Sequence, residues 1–266
     1  NTSTWYYGTG EYSGNSAGSI DEGVSPYLGD GIFKSTDNGA SWMQLGSTAS
    51  GIPHEWDGDF DIVWNIKVAG DGAVYAAVSG GIMSSDDGGA TWTDALGDLQ
   101  NGEYTDVAVA SNGTVYAALS SDAGQNGGIH QSGDGVNWNN ITPPGFPQDF
   151  NRIVLATAPS DPSVLYVFTT YSYAEGNSSY GFWKYSNAAG WEDRSANIPS
   201  PTGQDVDGMD TQGSYNQIVA VKPDDQNVVF IGGTNLFRST DGFVTSSNTA
   251  WIGGYSPLND VSDYPE

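Results

Sequence analysis

An all-β propeller is the fold class this sequence predicts, and three observations predict it. A pattern running from a Gly through a short apolar stretch to Ser, Asp, Gly and Trp recurs five times in altered form. The copies stand about fifty residues apart, inside the range of periods that marks solenoids and propellers. No long stretch carries apolar residues at helical spacing, so little helix is expected. The third observation is composition: 37 Gly, 9 Trp and 15 Tyr with only 15% charged residues suit many short strands joined by tight turns.

The pattern is clearest at 31–42, which reads Gly-Ile-Phe-Lys-Ser-Thr-Asp-Asn-Gly-Ala-Ser-Trp, and it returns nearly unaltered at 81–92. A shortened copy lies at 128–138 and an eroded one at 181–191, where Asn187 replaces the Asp. The last begins at Asn235 and holds Ser239 and Asp241 but has no Trp at the expected place. One unit is most legible between 59 and 96. Residues 60–69 alternate well enough for a first strand, ended by Gly70-Asp71-Gly72. Residues 73–79 form a second, with the near-continuous apolar character of a strand buried on both faces. Residues 81–85 are the third, and Thr91-Trp92-Thr93 opens the fourth, giving a four-stranded meander, the blade of a propeller.

The same order places further blades at about 104–142, 150–198 and 215–252. The first, 1–46, is partial: Trp5-Tyr6-Tyr7 takes the second-strand place and nothing precedes it. The whole, 1–266, reads as a single propeller domain with a polar tail at 253–266. Either the tail completes the first blade of a five-bladed ring, or the chain is an arc of a larger ring; the polar tail, with Pro265, favours the arc.

The repeated turn has a local explanation. Ser and Asp side chains bond backbone N–H groups two or three residues on, Gly supplies a left-handed conformation, and Trp packs back over the turn. Ser35, Asp37, Gly39 and Trp42, then Ser85, Asp87, Gly89 and Trp92, then Ser132, Asp134 and Trp138, and finally Ser239 and Asp241 are therefore read as structural. Two of these copies, 35–42 and 85–92, match the Asp-box, also called the BNR repeat, in full. The resemblance is to Asp-box propellers such as sialidases, xyloglucanases and sortilin-type domains. The stretch 7–11, with 29–35 after an insert, is most similar to secreted bacterial sortilin-like propellers and to glycosyl-hydrolase-like ones. In that family the box marks the fold at the blade periphery and does not by itself imply an activity.

With Asp+Glu 32 against Lys+Arg 7, the net charge of −25 repels phosphate backbones and anionic membranes, so no nucleic-acid partner is expected. No apolar run is long enough to cross a bilayer, so no membrane insertion is expected either. The chain has no Cys, which removes thiolate metal sites and Cys nucleophiles. It opens as though in mid-repeat, as a mature or cut-down piece of a longer protein would. The resemblance implies an extracellular or cell-surface location, as in secreted bacterial propellers.

In a meander, alternate turns emerge on opposite ends. The box shares its end with the short turns around 71, 112, 160 and 224, whereas the long loops 8–30, 46–59, 171–180 and 200–214 lie at the other. Long loops on a rigid scaffold are where binding concentrates. These loops are acidic and aromatic, with Tyr12, Tyr27, Trp56, Tyr173 and Glu175 as binding candidates. Rings stack on the apolar faces of sugars while carboxylates accept hydrogen bonds from hydroxyls. A glycan or a surface or secreted protein is the expected partner, with the chain acting as a binding or scaffold module. The alternative is a glycoside hydrolase, which needs paired carboxylates; Glu11, Asp30, Glu55 and Asp57 are the candidates. Calcium is the one cofactor the acidic clusters suggest, at Asp57, Asp59 and Asp61 or at Asp205, Asp207 and Asp210, although solvated turns explain these clusters as well. Sialidases hold a substrate carboxylate with three arginines, and here Arg152, Arg194 and Arg238 stand without an Arg-Ile-Pro motif. His130 replaces Lys34 or Met83 within a repeat strand and reads as packing.

Overall fold

Nineteen strands in antiparallel sheets make up the computed structural model, which describes residues 3–12, 26–53, 55–99, 102–172, 178–199, 209, 211 and 214–254. The chain divides into two compact units, Asn1–Thr142 and Pro143–Glu266. The first unit holds three sheets. One is three-stranded, β1 (Trp5–Gly8), β2 (Ile32–Ser35) and β3 (Met43–Gln44). The next is β4 (Val63–Val68), β5 (Val74–Val78), β6 (Gly81–Ser85) and β7 (Thr93–Gly97). The third is β8 (Thr105–Val109), β9 (Val115–Leu119), β10 (Gly128–Ser132) and β11 (Trp138–Asn140). The second unit holds two four-stranded sheets. They are β12 (Phe150–Ala158) to β13 (Asp161–Ser172), β14 (Ser178–Ser186) and β15 (Gly190–Asp193), and β16 (Ile218–Lys222) to β17 (Asp225–Gly232), β18 (Leu236–Ser239) and β19 (Thr249–Gly253). Each runs in chain order as a meander, the blade form of a β-propeller, and the first has three strands among the described residues. Among the described residues no helix is long and apolar enough to cross a membrane.

Burial explains the apolar runs. Ala76 and Val78 of β5 pack with Ile32 and Leu45 of the first sheet region, while Tyr75 and Ala77 pack with Val107, Val115 and Ala117 of the third. One strand thus feeds two cores, and every residue of β5 is buried. Small side chains on the β5 and β9 faces let the sheets approach closely, and burying each Val or Leu contributes about 1.5–3 kcal/mol. The second unit packs instead around rings: Tyr166, Phe168, Phe182, Phe237 and Phe243 share one core.

Two loop expectations need correction. The segment 171–180 is strand at both ends, 171–172 and 178–180, because β13 and β14 pair out to Ser172 opposite Ser178, while 173–177 lie outside the described residues; Thr169, Thr170 and Tyr171 favour a pleated surface. The turns expected at 159–162 and 223–226 shrink to 159–160 and 223–224, since β13 begins at Asp161 and β17 at Asp225.

The repeated turn closes on its own side chains. The Ser35 hydroxyl donates to Asp37 Oδ1 at 2.7 Å and accepts the Gly39 N–H at 2.9 Å, while the Ser41 N–H and hydroxyl donate to the two Asp37 oxygens at 2.9 and 2.6 Å. The copies at Ser85/Asp87 and Ser132/Asp134 repeat the scheme, with Thr91 and Asn137 as the later donors. Asn38 and Gly39 have φ of 62° and 85°, as do Gly88 and Gly89 at 72° and 94°, so the chain reverses through two left-handed residues. In the last copy Phe243 sits where Gly39 and Gly89 do, donating its N–H to Ser239 at 2.8 Å with φ 63°. Its ring is fully buried, edge-on to Phe182 at 5.0 Å, so it fills from within the turn the core that this copy's missing Trp leaves open.

These hydrogen bonds hold the carboxyls in their charged form. The Ser41 hydroxyl above all keeps Asp37 at about 2, and the Thr91 N–H does the same for Asp87. The Asn137 N–H holds Asp134 well below the ordinary range. Burial pushes Asp241 up, but the Asn248 amide and the Thr245 and Ser239 hydroxyls outweigh it, leaving about 2. A carboxyl whose pKa is lowered by folding contributes stability above its unfolded value and loses it as pH falls through its folded one. The melting temperature is therefore expected to drop between the ordinary 3.8 and about 2, with a shallower slope in Asp87→Asn. Thermal melts across that window check this; parallel slopes for the two proteins would exclude the turn carboxyls as the cause.

Candidate functional site

The two ends of the first unit's sheets are distinguished by Tyr75. Burial raises its phenol pKa, and the carboxylates of Asp71, Asp86 and Asp134 add to the shift. The β4–β5 turn and two of the Ser-Asp turns therefore gather at one end. At the other end a cavity of about 620 Å³ is lined by Tyr12, Trp56, Asp57, Gly58, Asp59, Asp61, Ile62, Ser79, Leu99, Gly102 and Glu103. Its lining comes from the β1–β2 and β5–β6 connections and from the links that enter β4 and β8.

Backbone bonds build its floor. Thr9 and Gly29 reach the strand-entry segment through Val63 N–H to Thr9 C=O at 3.0 Å and Gly29 N–H to Asp61 C=O at 2.7 Å. Glu11 and Tyr27 exchange N–H···O bonds of 2.7 and 2.8 Å, which sets the direction of Tyr12. Tyr12 then stands at 6.0 Å from Trp64 and 5.8 Å from Tyr104, ring to ring, and donates its hydroxyl to Glu103 Oε1 at 2.6 Å. Burial, with the Glu103 carboxylate beside it, pushes the Tyr12 phenol far up, so it remains a donor at any physiological pH. Trp64 Nε1 fixes the backbone of Glu103 at 2.8 Å.

Asp61 is the buried acid of the site, only 2% exposed. Its Oδ2 accepts the N–H groups of Asp57 and Gly58 at 2.9 and 3.0 Å, an Asx-type turn that carries Trp56 and Asp57 to the cavity. Burial raises its pKa more than these two bonds lower it, and the Asp57 and Asp30 charges add to the rise.

The candidates separate accordingly. Tyr12, Trp56, Asp57, Asp59 and Asp61 meet at the cavity. Asp30 braces the loop below, accepting the N–H groups of Ser50 and Gly51 at 2.8 and 3.0 Å; the Gly51 bond foremost lowers its pKa. Glu11, Glu55 and Tyr27 are exposed and do not line the cavity. Tyr173, Glu175, Asp205, Asp207, Asp210 and His54 lie outside the described residues. Among the described residues no three His, Cys, Asp or Glu side chains converge as a metal-binding group, Asp57, Asp59 and Asp61 included. His130 is buried, its Nε2 2.9 Å from Asn126 C=O, and burial lowers its pKa. The guanidinium of Arg194 donates to Gly242 C=O at 2.7 Å and that of Arg152 to Tyr215 C=O at 2.7 Å, so both tie backbone within the second unit. Glu103, Ser79 and Leu99 are site residues that loop length does not reveal. The signal was available, since the link into β8 emerges at the same end as the long loops, but it is short.

No protein-family model matches the chain, and no curated protein matches it. Solved structures do. A GH74 enzyme from Niastella koreensis superposes with a TM-score of 0.63 at 20% sequence identity, over 94% of this chain and 36% of that one. The GH74 xyloglucanase from Xanthomonas campestris gives 0.56 at 15% identity, over 87% and 36%. The chain thus spans about a third of the length of these structures. At such identities the likeness bears on architecture, and with the meandering sheets it makes the chain a β-propeller.

Proposed function

We propose that the chain is part of a secreted or cell-surface propeller of the Asp-box type that binds glycan in the cavity of its first unit. The observation that carries this is Trp56, 56% exposed on a cavity whose other polar side chains are the carboxylates of Asp57, Asp59, Asp61 and Glu103 with Tyr12 and Ser79. An open indole offers a flat apolar face to a pyranose, and carboxylates accept from several hydroxyls at once. About 620 Å³ lies within the usual range for small-ligand sites. The likeness in fold to a xyloglucanase agrees with a polysaccharide ligand.

Neutral β-glucan and xyloglucan oligosaccharides, titrated while indole fluorescence is followed, are expected to bind. Trp56→Ala is expected to weaken binding about tenfold, the loss of one stacked ring. If no oligosaccharide binds, the glycan reading is wrong. A second reading, hydrolysis, is favoured by Asp61. Burial keeps its proton on to higher pH than an exposed Asp would, as the acid of a glycosidase pair requires, and Glu103 lines the same cavity. New reducing ends that disappear in Asp61→Asn would make the site hydrolytic, whereas intact oligosaccharide would make it a binding site.

A further inference from the structure

Every charged side chain lining the cavity is acidic. Up to Thr142 the chain has only Lys34 and Lys67 as lysine or arginine, and both stand at the far end of their sheets. Lys34 Nζ donates to Gly88 C=O in a Ser-Asp turn at 2.7 Å, and Lys67 pairs with Tyr75 beside the β4–β5 turn. Among the described residues no basic side chain lines the cavity to offset Asp57, Asp59, Asp61 and Glu103.

Asp61 supplies a second, separate observation. It is almost wholly buried at the cavity wall, and its Oδ2 is satisfied by two N–H groups, but its Oδ1 has no hydrogen-bond donor among the described residues. A carboxylate held largely out of water beside a second one is costly, and a ligand that brings a charged donor to its open oxygen relieves the repulsion from Asp57. A neutral hydroxyl would satisfy the oxygen and leave the charge. A hydrated metal ion would need several converging oxygen ligands, which the described side chains do not assemble here. The remaining chemistry is an organic cation, and Trp56 adds a ring on which a sugar face can lie.

We infer, building on the glycan reading, that the cavity takes a saccharide bearing free amino groups, with glucosamine ammonium groups held by Asp61 and Glu103 and a sugar ring on Trp56. The test is titration with tetramers of glucosamine, N-acetylglucosamine and glucose at about pH 6, where the free amines are protonated. The glucosamine tetramer is expected to bind at least about tenfold more tightly than the other two, the worth of one charge-assisted contact. Its advantage should shrink as salt is raised. It should shrink also in Glu103→Gln, which keeps an acceptor for the Tyr12 hydroxyl while removing the charge, and in Asp57→Asn. Equal affinity for the three tetramers, or an advantage untouched by both variants, would overturn the cationic inference and leave the glycan reading standing. Binding of a lysine-rich peptide with no binding of any tetramer would overturn both.

Discussion

Phe243→Ala is expected to cost about 3–5 kcal/mol in denaturant unfolding, the usual loss for a fully buried phenylalanine. The ring is enclosed by the aromatic core of the second unit and meets Phe182 edge-on at 5.0 Å. Arg194 and Asn197 hold the flanking carbonyls in place, through Gly242 at 2.7 Å and Phe243 at 3.1 Å, so the site has little freedom to collapse around the hole. The sign of a companion substitution makes the test specific. In a strand, Gly is usually worse than Ala, but at φ 63° any β-carbon is strained, so Phe243→Gly should be more stable than Phe243→Ala by about 1 kcal/mol. The reverse order would mean that Phe243 does not occupy the left-handed conformation and that the turn closes in another way.

Gly10→Ala is the second large effect, and it reaches the cavity. Gly10 has φ 91°, and a β-carbon there would overlap the carbonyl oxygen of Asp61 and crowd the Cα of Ile62. Both neighbours are backbone and neither can swing aside. Strain and overlap together should cost about 3 kcal/mol or more, and glycan binding should fail with them because Asp61 and Ile62 line the site. Gly72 is the control. It too is left-handed, at φ 100°, but its turn is open and a β-carbon there meets nothing within 4 Å. Gly72→Ala should therefore lose only the conformational part, about 1 kcal/mol, and bind normally. Equal losses for the two variants, by unfolding and by titration, would show that the close approach at Asp61 has no energetic weight.

The blades were legible in the sequence because their determinants are local. A Ser hydroxyl, an Asp carboxylate and one or two residues of left-handed backbone make a similar hairpin wherever they occur, so four copies can be read without knowing their neighbours. Apolar runs such as 74–78 were legible as strands buried on both faces for the same reason. The site was legible only in part. Asp57, Asp59 and Asp61 look alike as a cluster, but only the fold shows that Asp61 turns inward to accept two N–H groups. Asp30 looks as suitable an acid as Asp57, yet it spends its carboxylate on Ser50 and Gly51. Glu103 comes from a different blade, ninety-one residues from the tyrosine it binds, and no local pattern couples the two. Phe243 was hidden because it supplies the core ring from the position that other copies give to glycine.

Because each Ser-Asp turn is closed by its own side chains, one rim of the sheets is set independently of whatever joins the strands at the other rim. Lengthening a connection there costs mainly closure entropy, about 0.6 kcal/mol for each doubling of length. The scaffold is thus suited to loop grafting: the connections at the cavity end can be exchanged or extended by many residues while the Ser-Asp hairpins keep the strands in register.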